Sequence, residues 1–194
     1  MSRKHKTALV VHESMFGHTE LVAQAIAEGL GESLRVTVVE VGQAPIEVGP
    51  GVDLVVAGGP THAFSMTRTN TRADAIDRGA EHGKRDFGLR EWIGRLPSGR
   101  GGPPIVSFDT RVASMRHLPG SAAKAAARAA RRRGFHSAAP AESFYVRDVD
   151  GPLLDGELDR AVDWGRRLAS IVGASDDSPL IDQVNCESEE ENDA

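Results

Sequence analysis

Cysteine is almost absent from this chain of 194 residues; Cys186 stands alone. One thiol excludes a disulfide framework and any cysteine-rich metal site, and it fits a reducing cytoplasm. Long apolar runs are missing as well. None approaches the roughly 18–20 residues that a membrane span needs. The basic N-terminus, MSRKHKT, runs straight into a strand-like segment with no apolar stretch or small-residue cleavage site, so no signal peptide is expected. The seven histidines show neither H-x-x-x-H nor H-x-H pairing, and no metal site is expected. Three signatures are lacking too: G-x-x-x-x-G-K-[ST] of P-loop hydrolases, G-x-G-x-x-G of Rossmann dinucleotide sites, and G-x-S-x-G of α/β-hydrolases.

Positive charge is missing from one segment only. Residues 174–194 carry Asp176, Asp177, Asp182, Glu187, Glu189, Glu190, Glu191 and Asp193, with no Lys or Arg. The other 173 residues hold 23 basic and 20 acidic side chains, so the overall −5 hides a body of about +3. A short, acidic, aromatic-free tail buries too little surface to offset its ordering entropy. It is expected to lack fixed structure, the alternative being a tethered anionic arm on a basic face. Residues 1–173 are then one domain, long enough to bury a sizeable core.

Five apolar runs read as strands: 7–13, 34–41, 52–59, 103–109 and 142–148. The first, third and fourth are continuous Val/Ile/Leu/Phe runs, the pattern of strands covered on both faces. The second alternates, as an edge strand does. Between them lie helical patterns. Leu21, Val22, Ala25, Ile26, Gly29 and Leu30 recur at three- and four-residue steps over 19–30. Segment 120–133 has Ser121 as N-cap, an Ala-rich body and Gly134 beyond its end. Its Lys124, Arg128, Arg131 and Arg132 share one face, read as solvated and not as a nucleic-acid surface. Residues 71–96 predict a helix interrupted by EHGKRDFG. A last helix over about 155–172 is expected to bury Leu158, Ala161, Val162, Leu168, Ala169 and Val172. This alternation predicts an α/β fold, a doubly wound five-stranded parallel sheet in three layers with right-handed crossovers.

In such a sheet ligands sit beyond the carboxyl ends of the strands, where strand order reverses. The three loops leaving those ends, HESMFGHT, GPTHAFSMTRTN and DTRVASMRHLPG, are rich in hydroxyls, glycine and charge. In the first, Ser14 and Thr19 offer hydroxyls, Gly17 permits close backbone approach, and the amides of 15–19 face outward at a helix start. That arrangement binds a phosphate without a lysine. It also reads as a plain glycine turn followed by a Thr-capped helix.

Together, the strand, the turn SMFGHTE, the amphipathic helix and VVAGGPTHAF resemble the flavodoxin family over about residues 7–172. The resemblance implies strand order 2-1-3-4-5 and an FMN cofactor. The family's first loop reads roughly [ST]-x-[ST]-G-x-T and wraps the FMN phosphate. Ser14, Gly17 and Thr19 fall on that pattern, with Met15 and His18 at its variable positions. Phe16 replaces the middle hydroxyl, a departure shared with the S-M-[YFW]-G-x-[TI]-E turn of diflavin proteins and flavodoxin-like quinone reductases. By the same resemblance Pro60, Thr61, His62, Ala63 and Phe64 flank one side of the flavin ring, and Asp109, Thr110 and Arg111 the other. Electron carriers of the family place Trp or Tyr against the ring; this chain offers Phe64, with His62 or Phe108. Arg111 near the ring would stabilise anionic reduced flavin. The implied function is redox: reduction of a small quinone-type acceptor, or electron transfer by a carrier that docks on a partner protein. A flavodoxin-fold domain that has lost FMN and serves binding is the third reading. Neither nucleic acid nor membrane is expected as a partner.

Overall fold

The computed structural model describes residues 5–174. The acidic tail beyond Ala174, with Cys186, lies outside the described residues. Strand β1 (Thr7–His12) leads into α1 (His18–Gly31), then β2 (Arg35–Glu40) and β3 (Leu54–His62). A two-residue strand β4 (Ser65–Met66) precedes α2 (Thr69–Asp77) and α3 (Leu89–Arg95). Next come β5 (Ile105–Val112), a 3-10 turn η1 (Ala113–Met115), α4 (Ala122–Arg132), β6 (Glu142–Val146) and α5 (Glu157–Ala174). Five strands pair in parallel in the order β2-β1-β3-β5-β6, the sequence-predicted order once β4 is set aside. The alternating strand is indeed an edge, and the link between β2 and β3 carries no helix.

Sheet faces explain the layers. One face packs Ala8, Val10, Val56 and Val106 against α1 and α5; the other packs Leu9, Val11, Val55 and Ile105 against α3 and α4. Two-sided burial is why β1, β3 and β5 read as unbroken apolar runs. Under α5, Phe108, Phe144 and Trp164 meet edge-on with centroids 6.0–6.4 Å apart. Phe108 is therefore a core ring, wholly buried, and unavailable to flank a ligand. Helices α1 and α5 touch backbone to backbone: a Cβ on Gly29 would collide with the Val162 carbonyl oxygen, and one on Gly165 with that of Ile26.

Three expectations need correction. Leu158 and Leu21 are exposed, because each sits one residue, about 100°, off its helix's buried stripe. Trp164 and Gly165 occupy the α5 stripe instead. Strand β3 runs three residues past its predicted end, since Thr61 and His62 pair with Met66 and Ser65 in a hairpin. Strand β5 also continues past 109, so Thr110 and Arg111, like Asp109 before them, are strand residues, the three paired with Phe144, Tyr145 and Ser143 respectively.

The helix crossing gives a direct test. Gly165→Ala should destabilise the protein by about 1–3 kcal/mol, the usual cost of overpacking a closed contact. Gly173→Ala, on the same helix but with nothing near its added methyl, should leave the urea midpoint unchanged or slightly raised.

Candidate functional site

Because β1, β3, β5 and β6 run in one direction, their carboxyl ends deliver four loops to one edge of the sheet. At the end of β1 the chain turns through Gly17, whose φ of 85° is left-handed and favours glycine. Gly17 is the N-cap of α1, and no side chain caps that helix. Thr19 is not a cap but a buried helix residue, its hydroxyl 2.7 Å from that of Thr110. The first-turn amides of α1 have no carbonyl four residues back to bond. Helix α4 is the opposite case: Ser121 Oγ accepts from Lys124 N (3.2 Å), Thr61 Oγ1 from Ala122 N (2.7 Å) and Asp109 Oδ2 from Ala123 N (2.9 Å). The chain caps one helix at this edge with three of its own side chains and leaves the other bare.

A small cleft gathers Met15, Phe16, His18, Thr19, Pro60, Thr61, His62, Thr110 and Arg111. These are nine of the residues named from sequence, drawn from the carboxyl ends of β1, β3 and β5 and the start of α1. Ser14 and Asp109 lie beneath it, fully buried. Ala63 and Phe64 form the tip of the β3–β4 hairpin and line the larger, continuous part of this cleft, which shares Thr61, His62, Arg111, Val112 and Val149 with the smaller part. Ala63 and Phe64 have φ of 46° and 61°. Neither is glycine, so the tip holds strain of about 1–3 kcal/mol per residue.

Orphaned polar atoms cluster here. Among the described residues, Ser14 Oγ, Asp109 Oδ1 and Arg111 Nε are buried without a hydrogen-bond partner. A buried group in that state costs about 1–3 kcal/mol, which a ligand oxygen or N–H would remove at a solvent-reachable site. Arg111 also donates from Nη2 to the Met115 carbonyl, and to that of Leu118 at 3.4 Å, which fixes the segment after β5. Burial lowers the His62 pKa below its ordinary 6.5, and Arg72 and Arg78 lower it further; a hydrogen bond to the Thr71 backbone and the Asp74 charge act against this. The ring is therefore neutral at neutral pH.

Solved structures with the same architecture include a flavodoxin from the domain Archaea, at TM-score 0.57 and 17% identity, covering 86% of this chain and 99% of that one. A single-site mutant of a flavodoxin from Pseudomonas aeruginosa gives 0.59 at 11% identity, covering 86% and 99%. This is the flavodoxin fold. A flavodiiron core from Synechocystis sp. contains it within a longer chain, at 0.58 and 14% identity over 89% of this chain and 37% of that one. No family model matches the sequence, and no curated protein sequence matches it.

The flavodoxin-type edge has further members that sequence reading missed. Val146 and Val149 close the smaller cleft from the β6 side, where His18 Nε2 meets the Asp150 carbonyl oxygen at 2.8 Å. Applying the carboxyl-end rule to the fifth parallel strand would have pointed to DVDGP. Glu13 was also missed. It sits at the start of the Gly17 turn, buried, accepting from Thr67 Oγ1 (2.5 Å) and Leu89 N (2.8 Å). Arg72, wholly buried, donates to Thr67 Oγ1 (2.8 Å) and the Arg85 carbonyl (2.8 Å), and lies 3.1 Å from Glu91 Oε2. No helix is long and apolar enough to cross a membrane, and no group of three or more potential ligands could hold a metal, among the described residues.

Arg72→Met removes the donors to Thr67 Oγ1 and the Arg85 carbonyl and the partner of Glu91; it should destabilise the protein by about 1–3 kcal/mol, the cost of buried polar groups left unsatisfied, read as a lowered urea midpoint. A pH series separates Glu13 from its neighbours. Burial raises the Glu13 pKa above the ordinary 4.5, against hydrogen bonds from Thr67 and Leu89 and the Arg72 charge. A carboxyl raised on folding contributes stability that is full at low pH and lost as pH rises through the folded value. Wild type should therefore lose stability relative to Glu13→Gln as pH rises from 4.5 towards neutrality.

Proposed function

We propose that the protein binds FMN along this edge and works as a flavodoxin-fold redox protein. The observation that carries the reading is the bare start of α1. A left-handed Gly17, uncapped first-turn amides and the orphaned Ser14 hydroxyl belong to one turn. That donor set fits a phosphate dianion, which needs N–H and O–H groups together with the positive end of a helix dipole. Phe16 in place of a hydroxyl leaves this set intact, because the amides and Ser14 supply the donors.

Ser14, Gly17, His18 and Thr19 would hold the phosphate end. Met15 and Phe16 would cover it, and Pro60–Phe64 with Thr110 and Arg111 would flank the ring. Asp109 acts from below, by holding Thr61 Oγ1 at 2.8 Å together with the start of α4. When bound, FMN supplies one- or two-electron transfer chemistry; the protein supplies position, field and exclusion of water. Arg111 places a permanent cation at the wall common to both parts of the cleft, which favours an anionic reduced ring. Phe64, half-exposed on a strained hairpin, offers a face and not a full cover, which suits a small acceptor reaching the ring.

Titration of FMN into the protein, followed by absorbance and by loss of flavin fluorescence, tests the reading. Wild type should bind one equivalent. Gly17→Val forces a branched side chain into a left-handed backbone and should weaken binding about tenfold or more. Equal affinity in the two proteins would overturn the assignment of this turn. NADPH oxidation with a quinone and no added protein separates an enzyme from a carrier, which would need a partner reductase.

A further inference from the structure

The opposite edge of the sheet, where the strands begin, joins the end of α5 to the end of α4 by a continuous track. Lys6, just before β1, donates from Nζ to the Val172 carbonyl in the last turn of α5 at 2.5 Å. The next residue, Thr7, donates its amide to Asp53 Oδ2 at 2.7 Å. Asp53 and Arg100 line an open cleft whose walls include Val48, Pro50, Val52 and Pro103. A Cβ on Gly134, just past α4, would lie 3.4 Å from Arg100 Cγ, so the Arg100 stem passes beside the end of that helix. Arg133 fastens the same join: its side chain donates to the Leu96 carbonyl, and its carbonyl accepts from Gly99 N at 2.9 Å.

Charge changes along this track. Inside the cleft Asp53 and Arg100 offset one another, and the half-buried Val48 and Val52 are apolar. Beyond it the charge has one sign. From Thr110 to Ala141 the chain holds no Asp or Glu. Lys124, Arg128, Arg131 and Arg132 stand exposed along α4, and among the described residues none of them makes an ion pair. Arg131 and Arg132 suit the carbonyl end of the helix dipole, whereas Lys124 in the first turn opposes it. Lys124 and Arg128 also repel each other at a four-residue spacing. This face lacks a counter-charge.

The chain beyond Ala174 carries the complement in matching order. Residues 175–194 lie outside the described residues, but their sequence places the uncharged Ser178, Pro179, Leu180 and Ile181 ahead of Glu187, Glu189, Glu190 and Glu191, with no Lys or Arg anywhere. Twenty residues reach at most about 66–72 Å, against a breadth of about 40 Å for a globule of this size. Leu180 and Ile181 come within about 25 Å of chain from Ala174, enough for the cleft beside Asp53.

We propose that residues 178–191 dock on this track of their own chain. Leu180 and Ile181 occupy the cleft at Val48 and Val52, and the glutamates lie against Arg128, Arg131 and Arg132. Exposed ion pairs are individually weak, but a tether of this length supplies them at about millimolar effective concentration. Docking at this edge involves no flavin, so it stands or falls apart from the redox reading.

Cys186 is the sole cysteine and lies between the two docking stretches, so it takes a nitroxide label without any substitution. In the isotopically labelled, full-length protein at about 0.01 M salt, the nitroxide should broaden the amides of 98–102 and 128–134 and spare those of the carboxyl edge. The broadening should be lost at about 1 M salt, where the Debye length has fallen from about 30 Å to about 3 Å. Arg128→Gln, Arg131→Gln and Arg132→Gln together should abolish it at 128–134, and the pair Leu180→Ser and Ile181→Ser should weaken it at 98–102. All these positions on α4 are exposed, so the variant's remaining amide shifts should match wild type. Broadening spread evenly over the surface, or unchanged in the triple variant, would overturn the proposal. So would broadening in a mixture of isotopically labelled protein bearing a diamagnetic tag with nitroxide-bearing protein of natural abundance, which would place the segment on a second copy.

Discussion

The Glu13 carboxylate, at the point where β1 gives way to the Gly17 turn, holds together parts of the chain far apart in sequence. One oxygen takes the Thr67 hydroxyl beyond the hairpin and the other takes the first amide of α3. Arg72 closes the arrangement from α2 by reaching the same Thr67 hydroxyl and the Arg85 carbonyl. A charged group removed from water survives only if it is paired and its lone pairs are filled. Both Glu13 oxygens are filled in this way, while Arg72 Nη2 stays buried without a partner, and the bonds fix the turn, the hairpin and α2 relative to one another. The cleft walls can be shaped because their buried supports are tied.

A second contrast decides where an anion can go. Helices α1 and α4 both begin at the carboxyl edge of the sheet, and both present first-turn amides to it. Ser121, Thr61 and Asp109 consume those of α4. Among the described residues, no side chain caps those of α1. The difference lies in a residue type, because Gly17 brings a left-handed turn and no oxygen where Ser121 brings an acceptor. Binding capacity is thus left at one helix start by withholding a cap, at a modest cost in stability.

Much of the architecture was legible in the chain itself. Two-sided burial writes β1, β3 and β5 as continuous apolar runs, and the edge position of β2 leaves polar residues within its run. The interruption of 71–96 and the Ser121 cap follow from local chemistry, and both are found where expected. The hairpin was not legible. Two-residue turns of this kind ordinarily announce themselves with Asn-Gly or Asp-Gly, whereas here Ala63 and Phe64 take the left-handed positions. The extension of β5 was likewise hidden, since Thr110 and Arg111 look like loop residues until β6 pairs with them. Leu21 and Leu158 misled for a simpler reason: composition suggests burial, but a position one residue off the stripe faces water.

Sequence by itself determined the alternation of strands and helices, the strand order through its family resemblance, and most of the residues that meet at the sheet's carboxyl edge. These depend on periodicity and on residues close together in the chain. Tertiary structure alone decided which buried groups lack partners, that Asp109 supports the cleft from below, that Phe108 belongs to the core, and that Val146 and Val149 close the cleft from the β6 side. Those outcomes depend on segments dozens of residues apart arriving at the same place, and no local pattern encodes that arrival.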